Sequence, residues 1–308
     1  MNGNKILGMQ TTKKRRMLFI ISFLAPAFLI YLGLFIYPSI DALRISFTEW
    51  SGFSASPTFV GIANYRFLIS DQVFWIAIGN SLIFMFIGGA LVFAIGLLFA
   101  FLLTNYSKRK HFYTNIFYFP NLISFSALTV LGVFIFDGNF GLLNTIWISI
   151  GLEDLAIAWL GSRATGMGAI TAVGVWFYMG FYLIIINAGI AKIPVSFLEA
   201  AMSEGANRVQ IFFKITLPLI WDVLTIAISL WMINSLKLFE IVWGMTKGGP
   251  SSQTHVVGTY IYQNAFGTAQ ILSYRLGYAS TIAVALVALV LLIIGLFKRL
   301  TSHEVYEY

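Results

Sequence analysis

The sequence contains no cysteine, which excludes disulfides, thiolate metal sites, cysteine nucleophiles and iron–sulfur ligation. Charge is the second shortage. Only 10% of the 308 residues are Asp, Glu, Lys or Arg, against about 25% in an average soluble domain. A soluble surface cannot be built from so few charges, and a disordered chain needs low hydrophobicity with high net charge. Histidine is scarce too: His111, His255 and His303 lie too far apart to mark a metal site by spacing. No G-x-x-x-x-G-K-[ST] phosphate loop, H-E-x-x-H or G-x-S-x-G occurs. If the chain moves a solute uphill, the energy must come from a partner.

What the sequence has in excess is apolar: 59% of its residues are hydrophobic and 17% aromatic. This composition reads as an all-α, polytopic membrane protein. A span needs about 20 apolar residues, and six stretches qualify, near 17–37, 77–103, 113–136, 168–190, 219–239 and 279–297. The first follows Lys13, Lys14, Arg15 and Arg16 but is too long for a signal-peptide core and is followed by no A-x-A site, so it reads as an anchor. Five of the six carry no Asp, Glu, Lys or Arg. The fifth has Asp222 at one end, suited to a helix N-terminus, and Lys237 at the other, placed to snorkel and to pair with Glu240. An uncharged interior weighs against an ion-coupled carrier, which places ionisable groups near the midplane.

Alternating spans divide the 19 basic residues into thirteen on one side and six on the other. The bias puts both termini in the cytoplasm. The chain then divides into a basic cytoplasmic N-terminus (1–16), a transmembrane domain (17–298) and a cytoplasmic tail (299–308). The long connections 38–76, 137–167 and 240–278 fall on the far side, where their aromatic and Gly/Ser/Pro content predicts short interfacial helices.

The cytoplasmic segment 192–218 carries the strongest signal. Ser196 with Glu199 three residues on forms a capping box for a helix over Phe197–Ser203. Gly205 ends that helix, and a second helix from Asn207 to about residue 215 stops at Pro218. The same residues resemble the EAA signature of ABC importer permeases. Glu199, Ala200, Ala201, Gly205, Ile215, Leu217 and Pro218 fill every fixed place of E-A-A, three residues, G, nine residues, I-x-L-P. Phe47-Thr48-Glu49-Trp50, the run Phe59 to Tyr65, Thr246 to Pro250, Tyr260-Ile261-Tyr262 and Gly277-Tyr278-Ala279 are similar to regions of the first permease subunit of the maltose and glycerol-phosphate type. The likeness covers the chain from about residue 17.

The resemblance implies the transmembrane domain of a type I ABC importer in a prokaryotic plasma membrane. Its partners would be a second homologous permease in a heterodimer, two ATP-binding subunits and an extracytoplasmic solute-binding protein that delivers a sugar. The chain itself would be no enzyme and hold no cofactor, ATP and magnesium being bound by the partner subunits, and no nucleic acid is implied. The EAA residues would carry the contact with the ATPase. The resemblance also places a sugar path at Phe177, Tyr178 and Phe181 of the fourth span and Trp231, Asn234 and Ser235 of the fifth, with Asn121 and Ser124 beside Pro120 in the third. Aromatic faces with amides and hydroxyls suit a sugar, whereas the same residue types in spans also serve helix packing. Glycerol-phosphate or another polar solute is the alternative cargo, and an ion-coupled secondary carrier is the rival from another class.

Overall fold

In hydrocarbon an apolar chain must satisfy its own backbone hydrogen bonds, which favours helices, and helices dominate this protein. The structure, a computed structural model, describes residues 13–106, 109–267 and 274–301. Residues 1–12 of the basic N-terminus, Lys108 and residues 302–308 of the tail lie outside the described residues.

Four helices are each long and apolar enough to cross a membrane: α1 (Arg15–Ile45), α3 (Gln72–Tyr106), α7 (Arg163–Ile190) and α13 (Leu276–Thr301). A short hairpin, β1 (Thr48–Glu49) with β2 (Thr58–Phe59), and helix α2 (Ala63–Ser70) lie between α1 and α3. The third and fifth expected spans are broken helices. One is α4 (Lys110–Leu122) and α5 (Phe125–Phe136), bent by 92°; the other is α9 (Arg208–Leu219) and α10 (Trp221–Leu236), bent by 69°. Counting each bent pair as one crossing gives up to six. Short helices α6 (Leu142–Ser149), α8 (Val195–Ser203), α11 (Glu240–Met245) and α12 (Val257–Phe266) complete the chain.

Several boundaries differ from the hydropathy reading, each for a local reason. Helix α1 runs on to Ile45 instead of ending near residue 37. A π-turn at Leu32–Ile36 absorbs the amide missing at Pro38, and Arg44 pairs with Asp41 at 2.9 Å beyond it. Helix α3 begins at Gln72 because Asp71 caps it, accepting from the amides of Val73 (2.9 Å) and Phe74 (3.4 Å). The break in the third span follows Pro120: the chain tightens into a 3-10 turn, Ile123 is extended, and Ser124 restarts the helix by accepting from the Ala127 amide at 3.3 Å. Lys237 ends α10 and forms no ion pair with Glu240. The chain turns at Phe239, so the two residues do not share a helix and the helical spacing rule does not apply.

Helix α7 is the centre of the fold, with two thirds of its apolar window buried, whereas none of the corresponding window of α1 is covered. Contacts fix the directions of the helices. Asp71 accepts from the hydroxyls of Tyr260 and Tyr278, so the starts of α3 and α13 meet α12. Nearby, Asn80 Nδ2 donates to the carbonyls of Gln253 and His255, both at 2.8 Å, and Arg163 Nε donates to Asn80 Oδ1 at 2.9 Å. This end, where α3, α7 and α13 begin, is the loop face. At the other end Arg208 Nη1 donates to the Asn105 carbonyl at 2.7 Å and its guanidinium lies 4.9 Å over the Tyr106 ring. The segment 191–219 therefore sits where α3 and α7 finish.

Candidate functional site

Two groups of residues converge, one at the end of α7 and one in the middle of the helices. The first is the segment 192–218. Helix α8 starts at Val195 with Pro194 in the cap position, so the expected capping box of Ser196 and Glu199 does not form. Proline fixes its own φ and starts the helix directly after it, which carries Ser196 into the first turn. At the other end Gly205 has φ +82°, its amide donates to the Met202 carbonyl and the Ala206 amide reaches back to Ala201, both at 3.0 Å. This is the Schellman closure that glycine permits. Glu199 and Ala200 are exposed, while Ala201 is buried.

The second arm is α9, capped by Asn207 in a reciprocal box with Gln210 (2.9 and 2.8 Å). It does not stop at Pro218. A π-turn over Phe212–Thr216 precedes the proline, and the helix continues to Leu219 before bending at Ile220. Phe212 is buried against Phe101 of α3, and Ile215 and Leu217 are half-buried, while Pro218 is exposed. The block is thus an exposed short helix, a glycine turn, and an arm fixed to the end of α3 and continuous with the bend into α10. The tie from Arg208 to Asn105 joins residues far apart in sequence, and no local pattern announces it.

The second group is an aromatic cluster. Trp231 of α10 is stacked with Phe84 (centroids 5.4 Å) and meets Tyr178 and Tyr182 edge-on, both at 5.7 Å. Phe177 joins through Tyr178 (4.9 Å) and packs on Phe125 at the start of α5 (4.9 Å); Phe181 joins through Tyr182 (5.2 Å). Helix α7 packs closely on α4 just before its break because residue 180 is glycine. A Cβ there would collide with the Phe117 carbonyl and the Tyr118 backbone.

The candidate path residues separate by exposure. Trp231 is 2% exposed, and its indole donates at 2.7 Å to the Met85 carbonyl within the π-turn of α3. Phe177 and Ser235 are buried as well, and the Ser235 hydroxyl donates to the Met232 carbonyl of its own helix. The Ser124 hydroxyl is engaged as a helix cap, and Asn121 sits half-buried in the 3-10 turn. Phe181 and Asn234 are exposed and Tyr178 is half-buried. Tyr182 is the residue that the sequence reading passed over. It is fully buried, and its hydroxyl faces the Asn234 side chain without forming a hydrogen bond of ordinary geometry with any described residue. A phenol within an apolar run was the available signal. None of these side chains is ionisable near neutral pH; they offer ring faces, amides and hydroxyls.

Residues 92–303 match the family described as the binding-protein-dependent transport system inner membrane component. A probable ABC transporter permease of Pyrococcus horikoshii is 32% identical over 93% of this chain and 97% of its own. The diacetylchitobiose uptake system permease of Streptomyces coelicolor is 31% identical over 93% of this chain and 84% of its own. In fold, the chain superposes with TM-score 0.80 on a bacterial ABC transporter involved in import of the acidic polysaccharide alginate, at 22% identity, covering 93% of this chain and 96% of that one. With a family match over more than half its length and full-length relatives above 30% identity, the chain belongs to the binding-protein-dependent transport system inner membrane components, the permease subunits of ABC transporters.

Proposed function

We propose that this permease carries a neutral sugar or oligosaccharide, delivered by an extracytoplasmic binding protein and driven by ATP hydrolysis in two partner subunits. The observation that carries the reading is the 192–218 block: an exposed Glu199-Ala200 helix, turned by Gly205 and continuous through α9 with the bend into α10. A partner pressing on that helix moves a lever attached to the ends of α3 and α10. Each bent helix pair counts as one crossing in this reading, giving six spans. The thirteen-to-six split of basic residues puts the block and both termini in the cytoplasm. The uncovered face of α1 is where the second permease packs.

The choice of sugar draws on the relative named for diacetylchitobiose uptake and on the character of the path. Tyr178, Phe181 and Asn234 present ring faces and an amide beside the buried Tyr182 hydroxyl, which makes no well-formed hydrogen bond among the described residues. An anionic cargo such as glycerol-phosphate calls for basic side chains along the path, and none of the path residues named above is basic. The test is reconstitution with the second permease, the ATPase subunits and the binding protein in lipid. ATP hydrolysis should rise when the binding protein is loaded with its sugar. Uptake by this chain alone without ATP, or an assembled complex that no sugar stimulates, overturns the reading.

A further inference from the structure

We propose a second saccharide site, on the loop face, in a cavity of about 350 Å³ between the first loop and the start of α13. It is separate from the path above. Its frame is preformed: Asn64 Nδ2 donates to the carbonyls of Ser46 (3.0 Å) and Thr48 (2.9 Å), and the Gly277 amide donates to the Trp50 carbonyl at 3.1 Å. Thr281 Oγ1 adds a bond to Ser46 at 2.9 Å. The hairpin, α2 and α13 are thereby locked together before any ligand arrives, which removes an ordering cost from binding.

The walls combine two kinds of group. Trp50, Phe67, Tyr274 and Tyr278 supply aromatic surface. Arg275 lies 4.8 Å over the Phe67 ring and 4.9 Å over the Tyr278 ring, and Glu49 stands on the same cavity. Among the described residues neither charge has an ion-pair partner, and they do not pair with each other. The two rings hold the guanidinium in place by cation–π attraction, and among the described residues its N–H donors make no hydrogen bond. A fixed donor fork and an open carboxylate beside ring faces match a polyhydroxylated ring, which donates to the carboxylate, accepts from the guanidinium and lays its apolar side on an aromatic face. The site holds one charge of each sign, so an anion is opposed by Glu49 and a cation by Arg275. A neutral saccharide engages both.

The absence of native cysteine gives a clean test. Ser51 and Ala63 line the cavity, so Ser51→Cys and, independently, Ala63→Cys place the only thiol of the chain there. Each full-length variant, in lipid nanodiscs with its partner permease, is treated with a maleimide while maltose, cellobiose, sucrose or trehalose is titrated. At least one disaccharide should slow labelling at both positions. Adding Arg275→Ala should raise the half-protecting concentration about tenfold, as loss of a charged hydrogen-bond donor does, and Arg275→Lys should restore only part of it. No protection by any of the four sugars overturns the site. So does protection unchanged by Arg275→Ala, or protection by unliganded binding protein with none from free sugar. The assay needs no ATPase, so its failure is separable from failure of the transport reading.

Discussion

Gly205 provides the sharpest test of the coupling block, because its two possible roles predict opposite rankings of substitutions. Its φ is +82°, and a Cβ built there meets no atom within 4 Å. Among the described residues nothing excludes a side chain sterically, and the intramolecular penalty of one is the left-handed backbone, roughly 1–2 kcal/mol for an L-residue. That penalty corresponds to a factor of about 5–30 in the population of the native turn. The loss is local, since α8 hangs on this turn and the aromatic core does not, so thermal melting of the permease should barely change. Gly205→Ala should lower sugar-stimulated ATP hydrolysis of the reconstituted complex several-fold. Gly205→Asn, larger but tolerant of this conformation, should lower it less, and Gly205→Val most. Retained activity in the alanine variant with loss in the asparagine variant would refute the reasoning. The side chain's volume at the docking surface, and not the turn, would then set the requirement.

Five other substitutions probe the remainder. Trp231→Ala should lose about 3–5 kcal/mol, seen as a large drop in melting temperature, because a buried ring and its bond to Met85 go together; Phe181→Ala and Asn234→Ala, both exposed, should reduce transport with melting and assembly unchanged. Asp71→Ala removes the cap of α3 and the acceptor of two tyrosines at once, and should cost about 3 kcal/mol in chemical denaturation. Burial in the loop pushes the His255 imidazole down to about 4, so the unfolded chain takes up its proton first as pH falls below about 6.5. Stability from this residue is complete above that pH and is lost toward pH 4, by about 2 kcal/mol at pH 5. His255→Gln should flatten the dependence of melting temperature on pH across that window.

Hydropathy located the helices but not their ends or breaks. A window of apolar residues reports what is soluble in hydrocarbon, while α3 and α7 begin where Asp71 and Ser162 accept backbone amides, several residues outside the apolar run. Helix α1 continued because a π-turn made room for Pro38, and α9 continued in the same way before Pro218. At Pro120 the chain did break, and the helical residues just before that turn, Phe117 and Tyr118, lie against Gly180 of a different helix. Proline alone does not decide between these outcomes. The neighbouring helix does, and a one-dimensional reading has no access to it.

The same distinction separates the two candidate sites. The 192–218 block is built from contacts within about two dozen residues, so fixed spacing encodes it, and the errors were confined to one cap and one helix end. Even there the tie from Arg208 to the end of α3 was invisible, because it spans more than a hundred positions. The aromatic cluster is assembled from α3, α5, α7 and α10, and side-chain type says nothing about which ring faces inward. Trp231 and Asn234 are neighbours on one helix turn, yet one is locked under the π-turn of α3 and the other is exposed. The hydroxyl left unpaired at Tyr182 lies between them in space. Removing it without removing the ring isolates its role: Tyr182→Phe eliminates a desolvated hydroxyl that makes no well-formed hydrogen bond among the described residues, so stability should hold or rise. Transport should fall if cargo supplies the missing partner. Lower stability with unchanged transport would return Tyr182 to the packing core.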